Sequence, residues 1–228
     1  MNIKEFDYKD IPEHGTMLLV ASRKSGKSVL MVNMLYHHFI KTMKVKRFLI
    51  ISPTLHNGDY LWMESADKRT SFDENFLDEL LEDQHERMKS DPASAPLVIV
   101  LDDIIKSTNE KTKNAIARLF CCGRHSKITI ALVSQSLKYE ISPAVKINVD
   151  VVFLFSTRNY DNKKEISDLW LGFSNKEDRD IGFTLMDKIA KGYRSMVILN
   201  TKKSDVIEEI VFFKEIDIDK NIPRNYIF

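Results

Sequence analysis

Punctuation is scarce in this sequence. Seven glycines and six prolines among 228 residues leave no stretch that reads as a linker, and neither an internal repeat nor a low-complexity segment occurs. Cysteine is limited to the adjacent pair Cys121 and Cys122, which excludes a disulfide framework and makes a reducing, intracellular compartment the simple reading. Neither sign of charge prevails: 34 Lys+Arg stand against 33 Asp+Glu, so bulk charge announces no nucleic-acid partner and any basic surface is local. No apolar run approaches the roughly 18 residues of a membrane-spanning helix. The opening residues Met1 to Asp10 are too charged for a signal peptide. What is present is an ordinary globular composition, 43% hydrophobic and 29% charged, long enough for one sizeable α/β domain.

The chain is organised around Thr16 to Ser28. Met17-Leu18-Leu19-Val20 is a short apolar run that fits a buried strand. Ser22, Arg23, Lys24 and Ser25 make a small, basic loop, and Gly26-Lys27-Ser28 follows. From Val29 to Leu35 the chain is apolar almost all round, which predicts a buried helix over 27–43. Strand, loop, Gly-Lys-Ser and helix together are the context of a phosphate-binding P-loop. A loop before a helix N-terminus turns backbone N–H groups inward, where they cradle a triphosphate. In this reading Ser22 to Val29 bind ATP. Gly26 allows close backbone approach, Lys27 reaches the β- and γ-phosphates, and the Ser28 hydroxyl ligates Mg²⁺. Ala21 stands where the usual pattern begins with glycine, and it tolerates fewer backbone conformations. The alternative is a chance Gly-Lys-Ser on a solvated turn, which would not require the flanking strand and helix.

Further apolar runs predict strands at 47–52, 97–101, 127–133 and 151–155. Helical spacing predicts helices over Phe72 to Met88, 109–121, 162–171 and 176–190, and two last strands, 194–199 and 208–213, read as an antiparallel hairpin at a sheet edge. Strands alternating with helices argue for a mainly parallel sheet with helices on both faces. Residues 1–15 are an extended leader, whose Phe6 and Tyr8 either pack on the domain edge or cover a nucleotide base. His37 and His38 read as surface residues. The aperiodic stretch that holds His56, Tyr60, Trp62, Lys68 and Arg69 reads as a loop anchored by Trp62, with base stacking as the alternative. The acidic face of the Phe72–Met88 helix reads as merely solvated.

The strand 97–101 is apolar at every position and ends in Asp102-Asp103, a Walker B pattern. Strand C-termini gather at the P-loop mouth in open α/β sheets. There Asp102 can hold Mg²⁺ and Asp103 can polarise the attacking water. Gln135, at the end of the next strand, faces the same crevice and can orient water and sense the γ-phosphate. Phosphoryl transfer also calls for an arginine against developing charge, with Arg124, Arg118 and Arg158 as candidates. Arg124 precedes its strand, the wrong end for its own site, but it could reach a neighbour's in a ring. Arg158 could act in either subunit. Asn175-Lys176-Glu177-Asp178 imitates a guanine-reading motif but reads as a helix start. Cys121, Cys122 and His125 are too few for a zinc site, and the cysteines read as buried thiols.

Three phrases together resemble the FtsK–HerA superfamily of P-loop motors, in particular the poxvirus-type genome-packaging ATPases of large DNA viruses and virophages. They are Ala21 to Ser28, Leu97 to Asp103 and Ile130 to Gln135. Arg124, eleven positions before Gln135, and the strand followed by Thr157-Arg158-Asn159 add to the likeness. The resemblance runs from about residue 10 to 200 and implies a RecA-like core with sheet order 5-1-4-3-2, residues 1–228 being a single ATPase domain. It further implies a homo-oligomeric ring that uses ATP and Mg²⁺ to pull double-stranded DNA into a preformed capsid, in which case Lys106, Lys111, Lys113, Lys138 and Lys146 either line the DNA channel or are ordinary solvated lysines. Capsid or packaging proteins are then the partners, membranes are not, and the place is the host cytoplasm or viral factory, with transient visits to the capsid portal. Asp103, where many relatives carry Glu, is a departure alongside Ala21. Two other readings compete: a small-molecule P-loop kinase, which needs no water-activating carboxylate at 103, and a binding module gated by nucleotide.

Overall fold

The structure is a computed structural model that describes residues 2–216 except 59, 73, 94, 105–108 and 203, together with Ile222. Its strands are β1 (Thr16–Val20), β2 (Arg47–Ile51), β3 (Asp67–Arg69), β4 (Leu97–Asp102), β5 (Ile128–Ser134), β6 (Val151–Leu154), β7 (Arg194–Leu199) and β8 (Val211–Glu215). They form one sheet in the order β3-β2-β4-β5-β1-β6-β7-β8. The five central strands are all parallel and follow the expected 5-1-4-3-2 order, with β7 and β8 antiparallel beyond β6. The short β3 was not foreseen. Its Asp-Lys-Arg sequence carries no apolar signal, and it pairs parallel to β2 at the sheet edge, where charge discourages further strand addition.

Strands β1, β4, β5 and β6 are buried at every position because helices cover both faces. Alternation along β1 sends Met17 and Leu19 to one core and Leu18 and Val20 to the other. The first core is closed by α1 (Lys27–Asn33), which continues as a π-helical segment, Met34–Thr42. The opposite core is closed by α2 (Glu74–Ser90), α3 (Glu110–Cys122), the short α4 (Leu137–Glu140) and α5 (Pro143–Ile147), α6 (Tyr160–Trp170) and α7 (Lys176–Ile189). The Asn175 side chain caps α7 by accepting from the Asp178 N–H at 2.9 Å, so the guanine-motif imitation is a helix start.

Phe6 packs as a domain-edge residue, with its ring edge-on to Phe153 and Phe212 at 5.7 and 5.9 Å. Two expectations need correction. His38 is buried, not superficial, because the leader brings Tyr8 over the far end of the π-helical segment. Cys121 and Cys122 are exposed, because the buried stripe of α3 runs through Ala115, Ile116, Leu119 and Phe120 and passes them by.

The acidic face of α2 is also engaged rather than merely solvated. Asp83 accepts from Arg47 and Arg87 at 3.0 and 2.8 Å, and Asp78 pairs with Arg118 of α3. Below it, the fully buried Gln84 donates to the carbonyls of Ala95 and Ser126 at 2.6 and 2.7 Å and accepts from Arg47 at 2.7 Å. That single amide ties α2 to the entrances of β4 and β5. Gln84→Leu should therefore cost about 2 kcal/mol by leaving the Ser126 carbonyl without this donor and the Ala95 carbonyl with only a long 3.4 Å bond from Arg47. The measurement is urea unfolding, with a lowered midpoint at unchanged slope; an unaltered midpoint would show that the carbonyls find other partners.

Candidate nucleotide site

The parallel strands β1, β4, β5 and β6 end along one edge of the sheet, and the sequence-predicted residues converge there. β1 leads into the loop, fastened by the Ala21 N–H donating to the Ser134 carbonyl at 3.0 Å. Lys24 and Gly26 adopt left-handed backbone conformations, φ 60° and 92°. That curl turns successive N–H groups toward one concavity ahead of α1. A side chain at 26 would be strained, and its Cβ would also meet Ile216 at 3.3 Å. Ser22, Arg23 and Lys24 are exposed along the loop, Ser28 lies in the first turn of α1, and Val29 packs against the core of that face. The Ser25 hydroxyl oxygen is buried and has no hydrogen-bond partner among the described residues. A loop rich in inward donors with an unsatisfied hydroxyl fits a polyphosphate.

Lys27 links the loop to the Walker B strand. Its Nζ donates to Asp103 Oδ2 at 2.9 Å and to Asp102 Oδ1 at 3.4 Å. Asp102, at the end of β4, is 4% exposed and accepts at Oδ2 from the Tyr60 hydroxyl at 2.9 Å. Asp103 has a left-handed backbone, φ 54°, an uncommon strain in a non-glycine residue that turns the chain sharply off the end of β4. Gln135 Nε2 donates to both Asp103 oxygens, at 3.2 and 3.4 Å. Burial pushes the Asp102 carboxyl above its ordinary value, with Lys27 and Tyr60 pulling against it. Burial also acts to lower Lys27, but Asp102 and Asp103 together outweigh it and hold the ammonium above its ordinary value.

Sequence reasoning missed the residues that hold Gln135. Glu140 Oε2 accepts from the N–H groups of Gln135 and Ser136 at 3.2 Å and from the Ser134 hydroxyl at 2.5 Å. Asn162 donates to the Gln135 carbonyl at 3.0 Å and accepts from the Leu137 N–H at 2.9 Å. The last residue of α4 and the first turn of α6 thereby clamp the loop after β5. Tyr60 belonged to a stretch read as a loop anchored by Trp62. Trp62 does pack there, edge-on to Tyr36 at 6.1 Å, but the neighbouring tyrosine has a polar task at Asp102.

Other candidates lie elsewhere. Arg124 sits at the opposite edge, ahead of β5, and its Nη2 donates to both oxygens of Asp150 at 2.6 Å. It does not reach its own chain's site, as expected. Arg118 is engaged with Asp78. Arg158 follows β6 at the site edge and is exposed. Lys113 pairs with Glu110 at 2.7 Å and Lys138 with Asp161 at 3.3 Å, while Lys106 lies outside the described residues. Lys146 is corrected as a channel candidate: it is buried and paired with Glu165 at 3.0 Å.

Among the described residues, no group of three or more His, Cys, Asp or Glu could hold a metal by itself. Ser28 with Asp102 is the lean protein donor set that Mg²⁺ accepts when phosphates and waters complete its shell. No described helix is long and apolar enough to cross a membrane.

Removing Lys27 strands Asp102 in its buried place, and its carboxyl then rises further above the ordinary 3.8. A group raised in the folded state stabilises below its unfolded value, and that contribution is lost as pH climbs through the folded one. Lys27→Met should thus destabilise the fold by about 3 kcal/mol near pH 7 and by clearly less near pH 4. Urea midpoints at the two pH values check this; equal losses would mean that Asp102 is not the stranded group.

Known proteins share this fold. An uncharacterised protein of Acanthamoeba polyphaga mimivirus is 22% identical over 92% of this chain and 76% of its own length. One from frog virus 3 is 26% identical over 55% of this chain, a match that spans only 38% of that relative. Among solved structures, the genome packaging NTPase B204 from Sulfolobus turreted icosahedral virus 2, in complex with ATP-gammaS, superposes with a TM-score of 0.61 at 17% identity, over 91% of this chain and 100% of that one. The cytoplasmic domain of the Thermomonospora curvata type VII secretion ATPase EccC gives 0.62 at 14% identity, over 88% of this chain and 25% of that one. These likenesses show the fold, a RecA-like P-loop NTPase with a mainly parallel sheet. A family model described as Poxvirus A32 protein matches residues 3–165, and the chain belongs to that family.

Proposed function

We propose that this chain is an ATP-hydrolysing DNA translocase that packages a viral genome into a preformed capsid. The observation that carries the proposal is the meeting of Lys27 and Gln135 on Asp103, beside the buried Asp102, at the mouth of the P-loop. Membership of the poxvirus A32 family and the fold shared with a genome packaging NTPase support the packaging role. Residues 1–228 act in this reading as a single ATPase domain.

The residues divide the chemistry among them. The N–H groups of Ser22 to Val29 and the Lys27 ammonium bind the triphosphate. Ser28 and Asp102 would hold Mg²⁺, which would supply positive charge against the triphosphate. A γ-phosphate oxygen competes with Asp103 for the same Lys27 ammonium, so substrate binding frees the carboxylate. Asp103 then takes a proton from water as the water oxygen bonds to the γ-phosphorus. The bond from that phosphorus to the bridging oxygen breaks, and ADP and phosphate result. Gln135 orients the water, and the clamp of Glu140 and Asn162 keeps Gln135 in place. Arg124 stabilises the developing charge in a neighbouring subunit's site, which calls for a homo-oligomeric ring. Double-stranded DNA and capsid or packaging proteins are the partners, and the infected host's cytoplasm or viral factory is the setting, with visits to the capsid portal. A kinase is not favoured, because the Asp103–Gln135 pair is suited to activating water and a kinase must exclude water.

The test is ATP hydrolysis with and without double-stranded DNA, at protein concentrations that permit assembly. DNA should stimulate the wild type severalfold, while Lys27→Ala and Asp103→Asn should lose at least about a hundredfold in kcat. Mixing Arg124→Ala with Asp103→Asn chains should restore part of the activity, since one mixed interface then carries both functional groups. Hydrolysis that is slow, indifferent to DNA and independent of protein concentration would sink the motor reading.

A further inference from the structure

The leader aromatics are not available to a nucleotide base: Phe6 is buried between Phe153 and Phe212, and Tyr8 lies against His38 with Lys214 over its ring at 4.8 Å. A different aromatic stands at the right place. In the antiparallel pairing of β7 with β8, Arg194 faces Glu215, and the ladder continues one step further, with the Ile216 N–H donating to the Tyr193 carbonyl at 2.8 Å. Tyr193 and Ile216 are therefore cross-strand neighbours. Ile216 belongs to the core on the α1 face and reaches over the P-loop, where a Cβ at Gly26 would meet its Cγ2 at 3.3 Å. Alternation along β7 puts Val197 and Leu199 in that same core, and Tyr193 falls in step with them. The tyrosine thus rises on the side of the sheet that carries the P-loop helix, one cross-strand step from a side chain that fills the space a side chain at Gly26 would need.

Its exposure is the second observation. Tyr193 is 78% exposed, the most exposed large hydrophobic residue among those described, and its ring and hydroxyl make no hydrogen bond or aromatic contact among the described residues. Gly192 before it has φ 68°, which sharpens the turn out of α7 and lifts the ring at the strand's entrance. An amphipathic ring displayed beside a phosphate cradle has the chemistry to receive the flat face of a nucleobase. Ile216 supplies an apolar floor next to it.

We propose that Tyr193, with Ile216 beside it, forms the base subsite of the nucleotide site, binding the purine ring by stacking. This rests on the proposed nucleotide reading of the P-loop. A π-face accepts any base, and no residue invoked here hydrogen-bonds a base edge, so GTP binds within about tenfold of ATP.

The test is equilibrium binding of ATP and of inorganic tripolyphosphate, both with Mg²⁺, to the wild-type full chain, Tyr193→Ala and Tyr193→Phe, with thermal melting to verify folding. Tyr193→Ala should weaken ATP about tenfold, from the loss of one stacking contact, and leave tripolyphosphate unmoved. Tyr193→Phe, which keeps the ring, should recover most of the loss. If Tyr193→Ala binds ATP like the wild type while Lys27→Ala does not bind it, the base lies elsewhere and the phosphate site stands. Equal losses for ATP and tripolyphosphate would mean that Tyr193 acts through the loop's shape, which overturns the stacking claim. If the wild type binds neither ligand, the nucleotide reading falls and takes the base subsite with it.

Discussion

A carboxylate buried at the end of a fully apolar strand is the constraint around which this molecule is arranged. Asp102 has little water to solvate it, and an isolated charge in such a place would cost several kcal/mol. Lys27 and the Tyr60 hydroxyl offset that cost, and each arrives from a different part of the chain. Lys27 can do so only if β1 and β4 lie close in one sheet and run the same way. The strand order does this with β5 as the single intervening strand, so that β1, β5 and β4 end together. Tyr60 reaches in from the loop after β2, the other neighbour of β4. The parallel sheet and the charge cluster are thus two views of one arrangement.

The sheet has two ends with different chemistry. One collects the P-loop, the two aspartates and Gln135. At the other, Asp150 accepts from the Thr16 N–H at 2.8 Å and from Arg124 at 2.6 Å. β1 joins the two directly: Thr16 opens the strand, and Ala21 at its far end begins the loop. A five-residue strand spans about 16 Å. Because β1 is buried at every position between β5 and β6, it moves as a unit with its neighbours rather than flexing alone.

Much of this was legible in the sequence because apolar runs, breakers and the Gly-Lys-Ser signal are local. The strand from Leu97 to Asp102 advertises burial on both faces by its composition alone, and the helix start at Asn175 follows from short-range chemistry. The residues that escaped detection are defined by partners far along the chain. Tyr60 meets Asp102 across 42 positions and Asn162 meets Gln135 across 27, and neither spacing leaves a periodic trace. The approach of Ile216 to the space above Gly26 belongs to the same class. His38 was misread for a related reason: besides Phe39 next to it, its cover includes Tyr8, which the leader brings from far along the chain. The two cysteines were misplaced by a rule of thumb about residue type, and their helical phase would have corrected it.

Arg124 poses an energetic question that the proposed ring must answer. A trans-acting arginine has to leave its resting partner, and a strong internal ion pair would oppose that. Here the guanidinium side chain is 53% exposed, so its pair with Asp150 is screened by water and worth about 1 kcal/mol at most. Asp150, 12% exposed at the side chain, is the more buried partner, and it keeps the Thr16 N–H as a donor when Arg124 departs. The carboxylate is therefore not stranded, unlike Asp102 without Lys27. A neighbour's γ-phosphate, more highly charged than Asp150 and reached in a drier interface, would outcompete such a partner. The fold thus holds Arg124 in position without holding it back, and the same Asp150 connects it to the strand that begins the chain's own P-loop.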